Sequence, residues 1–173
     1  MKLLITIFST MLFSNLLIAQ QTCKTYIDDE WTDSRYIVSD IGGENIVTDT
    51  GTKLMWKQCT QGLTGLDCTQ GKNLQVLWNQ ALISVATENQ DTFAGFNDWR
   101  LPNIKELQTI SARNCFFPAL NKTIFPNSPR LFWTSTPDNR SNDSVWVLDF
   151  KTGYDETRLR DMPLNVRLVR GGS

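Results

Sequence analysis

All four cysteines of the chain, Cys23, Cys59, Cys68 and Cys115, follow a short apolar leader, and this combination limits the available folds more than any other feature. Residues 1–19 carry one Lys, then an apolar run from Leu3 to Phe8 that continues through Leu12, Phe13 and Leu16 to Ala19. A single positive charge, an apolar stretch and a small residue before a polar start predict a secretory signal peptide cut after Ala19. Ser9, Thr10, Ser14 and Asn15 interrupt a stretch already too short to span a bilayer comfortably. The mature chain, from Gln20, holds no further apolar stretch of about 18 residues, so no membrane span is expected in it. The expected destination is the periplasm, the cell surface or the medium.

In an oxidising compartment an even cysteine count reads as disulfides, and four cysteines allow three pairings. Cys59 and Cys68 flank Thr-Gln-Gly-Leu-Thr-Gly-Leu-Asp, a segment that can turn back on itself, which favours a local Cys59–Cys68 bridge. Cys23 then ties the N-terminal segment to Cys115. A thiolate metal site is the rival reading, but no Cys-x-x-Cys pair is present.

Residues 20–44 are acidic and irregular, with Asp28, Asp29, Glu30 and Asp33 close together, and are expected to form a tail or first strand. Ile46-Val47-Thr48 and Lys53-Leu54-Met55-Trp56 surround an Asp-x-Gly turn and predict a hairpin. After a glycine-containing loop, Asn73 is placed as the cap of a helix whose apolar positions are Leu74, Leu77, Trp78, Ala81, Leu82 and Val85. Asn103 followed by Glu106 predicts a capping box opening a second helix, with Ile104, Leu107 and Ile110 inward. Three strands are expected after a proline-bearing loop: Leu131 to Thr134, Ser144 to Phe150 and Val166 to Arg170. Two helices among short, mainly antiparallel strands predict a single α+β domain.

The chain contains no His. Ser-His-Asp and Cys-His nucleophiles, His-ligated zinc and an imidazole pH switch are therefore excluded. No Asp-x-Asp-x-Asp-Gly loop is present, so no metal and no cofactor are predicted. Residues 20–99 hold 5 Lys+Arg and 11 Asp+Glu, whereas residues 100–173 hold 11 and 7. The basic half supplies candidate ligand residues for a polyanion: Arg130, Arg140, Lys151, Arg158 and Arg160. A sequence pI near 5.4 lacks the basic footprint of nucleic-acid binding, so nucleic acid is not expected as a partner.

Several segments occur in a recognisable order: Asp49-Thr-Gly-Thr-Lys-Leu-Met-Trp56, Trp78 with Ala81, Gly95-Phe-Asn-Asp-Trp-Arg-Leu-Pro-Asn103, Phe132-Trp-Thr-Ser-Thr136, Val145-Trp-Val147 and Val166-Arg-Leu-Val-Arg170. Over roughly residues 45–171 the chain resembles the family named after the C-terminal domain of the Legionella collagen-like adhesin. The resemblance implies a C-type-lectin-like fold related to the formylglycine-generating enzymes, an exported or surface location, and binding of a glycan or polyanion. It brings no catalytic motif. The related oxidoreductases use a closely placed cysteine pair near the C-terminal end, and none lies near Val166–Arg170 here.

Within those motifs, Asp98, Trp99, Arg100 and Glu106 are expected to be structural, with Asp98 or Glu106 as the partner of Arg100. Trp56, Trp78, Trp99 and Trp146 are assigned to the core. Trp133, beside Thr134 and a polar loop, is the Trp most readily moved to the surface and joins the ligand candidates, with the core as its rival and favoured place. The expected function is a non-enzymatic module binding an extracellular glycan or polyanion. The alternative is an interaction subunit of a surface appendage or envelope assembly, with an envelope protein as partner. No oligomeric state is implied.

Overall fold

The computed structural model describes residues 20–171, and the predicted signal peptide at 1–19 lies outside them. In chain order the strands are β1 (Thr22–Cys23), β2 (Tyr36–Ile41), β3 (Glu44–Asp49), β4 (Leu54–Lys57), β5 (Leu63–Thr64), β6 (Gln70–Gly71) and β7 (Gln75–Val76). Helices α1 (Trp78–Gln90) and α2 (Ile104–Thr109) follow, then β8 (Cys115–Phe116), β9 (Leu131–Pro137), β10 (Ser144–Asp149), β11 (Tyr154–Leu159), β12 (Leu164–Asn165) and β13 (Val169–Gly171). Two larger sheets carry the fold, one ordered β11-β10-β9-β12-β7 and the other β13-β4-β3-β2, with small ribbons β1-β8 and β5-β6. Pairing is antiparallel except between β12 and β9. This is the expected α+β architecture, and both expected disulfides, Cys23–Cys115 and Cys59–Cys68, are present.

Strand alternation explains how a chain of this size fills two cores. Successive residues of a strand point to opposite faces. Val47, Phe132 and Leu148 enter one cluster with Trp31, Trp56, Leu107, Phe125 and Phe150. Their neighbours Ile46, Trp133 and Val147 enter a second cluster with Trp99, Val145, Val166 and Leu168. Burying side chains of this size stabilises by roughly 1.5–3 kcal/mol each relative to leaving them exposed.

The predicted hairpin forms from β3 and β4. Its turn is organised by Asp49, fully buried, which accepts from the amide of Gly51 at 2.9 Å and from Arg35 at 2.9 and 2.6 Å. Preceding it, β2 and β3 are joined by Gly42-Gly43, both at positive φ, as a two-residue turn that matches strand twist requires.

The structure corrects the expectations for the first helix and for the last strand. Helix α1 begins at Trp78, not after Asn73, because Gln75–Val76 pair instead with β12. The Asn73 side chain donates to Asn165 Oδ1 at 2.7 Å, and Leu82, placed inward, is exposed. The expected last strand is interrupted: strand pairing covers Leu164–Asn165 and Val169–Gly171, while Val166, Arg167 and Leu168 are buried between them. The acidic segment before residue 45 contributes Trp31 and Tyr36 to the first core, and Trp31 Nε1 donates to the carbonyl of Thr109 at 2.8 Å. Strand β11 was not foreseen, since Tyr-Asp-Glu-Thr-Arg-Leu carries no apolar alternation.

Candidate functional site

The Asp98–Glu106 segment is a clasp. Trp99 is 1% exposed, and Asn89 of α1 holds its backbone from both sides, donating to its carbonyl and accepting from its amide, each at 2.8 Å. Arg100 grips Glu106 through two bonds of 2.7 and 2.6 Å, so Glu106 rather than Asp98 is its partner. Asp98 instead accepts from Arg170 at 2.6 Å. Glu106 also accepts from the amide of Asn103, closing the capping box that opens α2. Burial raises the Glu106 carboxyl, but Arg100 and the Asn103 amide outweigh it and hold the group below its ordinary value.

Of the candidate ligand residues, Arg130 and Lys151 border one cleft, and the others do not join them. Trp133 is fully buried, which is the core placement and not the surface one that would make it a ligand residue, and its Nε1 donates to the carbonyl of Val76 at 2.7 Å. The sequence neighbours Thr134 to Thr136 suggested a polar setting, yet Thr134 too is buried. Arg140 bonds Asp138 at 2.9 Å and lies over Trp146. Arg158 pairs with Glu156 at 2.5 Å, while Arg160 stacks on Trp78, 4.6 Å from the ring centre. Arg130 bonds Asp149 at 2.8 Å, which raises its own pKa above the ordinary value. Lys151 lies 4.9 Å above the ring of Phe117 and has no carboxylate partner among the described residues.

What the fold does build is a cleft of about 610 Å³ at the stapled end, lined by Lys24, Arg113, Phe116, Phe117 and Tyr154 with no carboxylate in its wall. The Cys23–Cys115 bridge makes it. The two cysteines face each other across β1 and β8, and the Lys24 amide donates to the Asn114 carbonyl at 2.7 Å. Opposite them the chain turns at Gly153, where a Cβ would meet Ser111 Oγ and Ala119 Cβ at 3.1 Å, and then presents Tyr154, 75% exposed. Phe117 sits at φ 56°, a region bulky side chains rarely occupy, and its amide is held by the Lys151 carbonyl at 2.8 Å. Phe117 also borders a second cleft of about 250 Å³ lined by Arg130 and Lys151, so the two openings share one aromatic ridge. Neither Lys24 nor Arg113 has a carboxylate partner among the described residues.

Lys24, Arg113, Phe116, Phe117 and Tyr154 were not among the sequence candidates. A signal existed for the first two: each lies within two positions of a cysteine of the predicted Cys23–Cys115 bridge, so the bridge itself brings two cations together.

On the far side, Lys57 and Glu88 form an ion pair in a cleft of about 200 Å³ under the ring of Phe93. Burial pushes the Lys57 amine down from its ordinary value, with Glu88 opposing the shift. Among the described residues no three metal-ligating side chains come together, and no helix is long and apolar enough to cross a membrane. The family model described as the Lcl C-terminal domain matches residues 45–170. No curated protein matches the chain.

Proposed function

Because the chain belongs to the Lcl C-terminal domain family, we propose that it is an adhesin-like, exported surface module that binds an extracellular glycan without altering it chemically. The observation that carries this reading is the cleft at the stapled end. Lys24 and Arg113 offer positive charge free of internal carboxylate partners, and Tyr154 and Phe117 offer ring faces. Cations attract sulfates or carboxylates of a polysaccharide, and the aromatic faces suit the apolar face of a sugar ring. Lys151, which has no carboxylate partner among the described residues, extends the positive potential past Phe117, while Arg130 beside it is already paired with Asp149. Two disulfides support export to an oxidising compartment.

The test is a binding titration against a sulfated polysaccharide and a neutral one, at low and at physiological salt. Charge-driven binding weakens as salt rises, because the screening length falls to about 8 Å at physiological ionic strength. Replacing Lys24 and Arg113 by Ala should weaken anionic-glycan binding by about tenfold or more, which corresponds to ~1.4 kcal/mol. Thermal stability should stay unchanged. Arg158→Ala with Arg160→Ala serves as the comparison, with little effect expected. Equal binding by the Lys24/Arg113 variant, or turnover of either glycan by the purified protein, would overturn the reading.

A further inference from the structure

The outer edge of the four-stranded sheet is open, and its hydrogen-bonding groups fall in a symmetric pattern. Strand β2 pairs with β3 in the register Ile41↔Glu44, Ser39↔Ile46 and Ile37↔Thr48, closed by the two-residue Gly42-Gly43 turn. In such a hairpin the residues flanking the turn exchange both main-chain bonds, and every second pair does the same. The Thr50 amide, donating to the Arg35 carbonyl at 3.0 Å, continues that series. Ile37, Ser39 and Ile41 therefore turn their amides and carbonyls toward β3, Arg35 turns its carbonyl there while its amide donates to the Thr32 carbonyl, and Tyr36, Val38 and Asp40 turn theirs outward. The Tyr36 amide is taken by the Asp33 carbonyl. The Tyr36 carbonyl and both groups of Val38 and of Asp40 have no partner among the described residues.

Three of the six side chains along this edge are exposed and aliphatic. Ile37, Val38 and Ile41 are 55%, 45% and 40% exposed. Edge strands usually carry a Pro, a Lys or a bulge that discourages pairing, and β2 has none of them. Its one charge, Asp40, is folded back onto the amide of Gly43 at 2.7 Å.

We infer that β2 is a self-docking edge that pairs antiparallel with β2 of a second copy, about a two-fold axis through Val38. An axis through Ser39 would make as many main-chain bonds, but it makes the two Asp40 residues diagonal neighbours, whereas the axis through Val38 sets them four positions apart. Val38 faces Val38 of the second copy and exchanges two main-chain bonds with it. Each Asp40 amide reaches the other copy's Tyr36 carbonyl, giving two more. Ile37 lies opposite Ser39, and Asp40 lies opposite Tyr36, so no like charges meet. Shifting the axis to Asp40 sets the two Asp40 residues directly opposite, which is unfavourable. Shifting it to Tyr36 leaves Val38 and Asp40 without partners. An isologous contact of this kind closes on itself and stops at two copies, joining the two four-stranded sheets into one.

Sedimentation velocity of the full mature chain over a range of concentrations tests the inference. The expected result is a reversible monomer–dimer equilibrium. Val38→Pro removes an outward amide that β3 does not use, so the edge tolerates it within the monomer. It should weaken dimerisation by at least about tenfold. Ile37→Lys leaves every main-chain group in place, so it keeps the test decisive if the proline variant misfolds, and it should weaken the dimer as well. Val38→Cys should form a disulfide between copies on mild oxidation. A chain that stays monomeric at every concentration overturns the inference, including one that takes a foreign strand on this edge. So does a dimer insensitive to both Val38→Pro and Ile37→Lys.

Discussion

Arg167 is completely buried, yet the groups that accept its hydrogen bonds are neutral: the carbonyls of Lys57 and Gln58 and the hydroxyls of Thr60 and Ser128. Burial pushes its pKa down to about 9, which still leaves the charge in place at neutral pH. The rings of Phe125 and Phe132, 4.8 and 5.4 Å away, add their negative faces. Asp49 is the opposite case, a buried anion with a full complement of donors. Burial raises its carboxyl, but bonds from Arg35, Thr52 and Gly51 prevail and hold it below the ordinary range. A carboxylate whose folded pKa is depressed contributes stability that is present above its unfolded pKa of about 3.9. That contribution is lost as pH falls through the lower folded value. Thermal denaturation should therefore hold level from neutral pH down to about pH 5 and weaken below about pH 4. In Asp49→Asn the acid limb should flatten, with about 3–5 kcal/mol already lost at neutral pH because Arg35 is left unpaired. Trp99→Ala should cost roughly 3–5 kcal/mol in chemical denaturation, as large-to-small changes in a packed core do. A loss under about 1 kcal/mol would overturn the structural assignment of Trp99.

Helix α2 spans only Ile104–Thr109, so its ends matter more than its length. Asn103 Oδ1 accepts from the Glu106 amide at 2.9 Å, and Asn103→Ala should destabilise the protein by about 1 kcal/mol, measurable as a shift in denaturation midpoint. This helix was legible because its signals are local: cap, box and apolar spacing lie within eight residues. The β3–β4 hairpin was legible for the same reason. Helix α1 was mis-started because Leu74, Leu77 and Trp78 fit a helical period. A long-range event decides otherwise, since Leu164–Asn165 arrive to pair with Gln75–Val76. Strand β11 is an edge whose apolar content is low, so no period marks it. The cleft was hidden because its walls come from Lys24 just after β1, the segment from Arg113 to Phe117 and the Gly153 turn, which meet only in three dimensions. Exposed basic residues in one half of the sequence said nothing about sharing a face, and Asp138, Asp149 and Glu156 claim three of them.

Across the whole molecule, sheets with residues facing both ways bind two cores into one body, and the N-terminal ribbon is sewn to the middle of the chain. The stitch has a mechanical consequence. A pull applied at residues 20 and 171 runs from Cys23 through the sulfurs to Cys115, a sequence separation of 92, and onward to the C-terminal strands. Everything between, including β2, β3, β4 and both helices, hangs off the load path as a closed loop. At about 3.3–3.6 Å of contour per residue, roughly 300 Å of chain is withheld from extension while the bridge is intact. A surface protein holding a tethered ligand under flow would yield its C-terminal strands and keep Lys24 and Arg113 joined side by side until the sulfurs part.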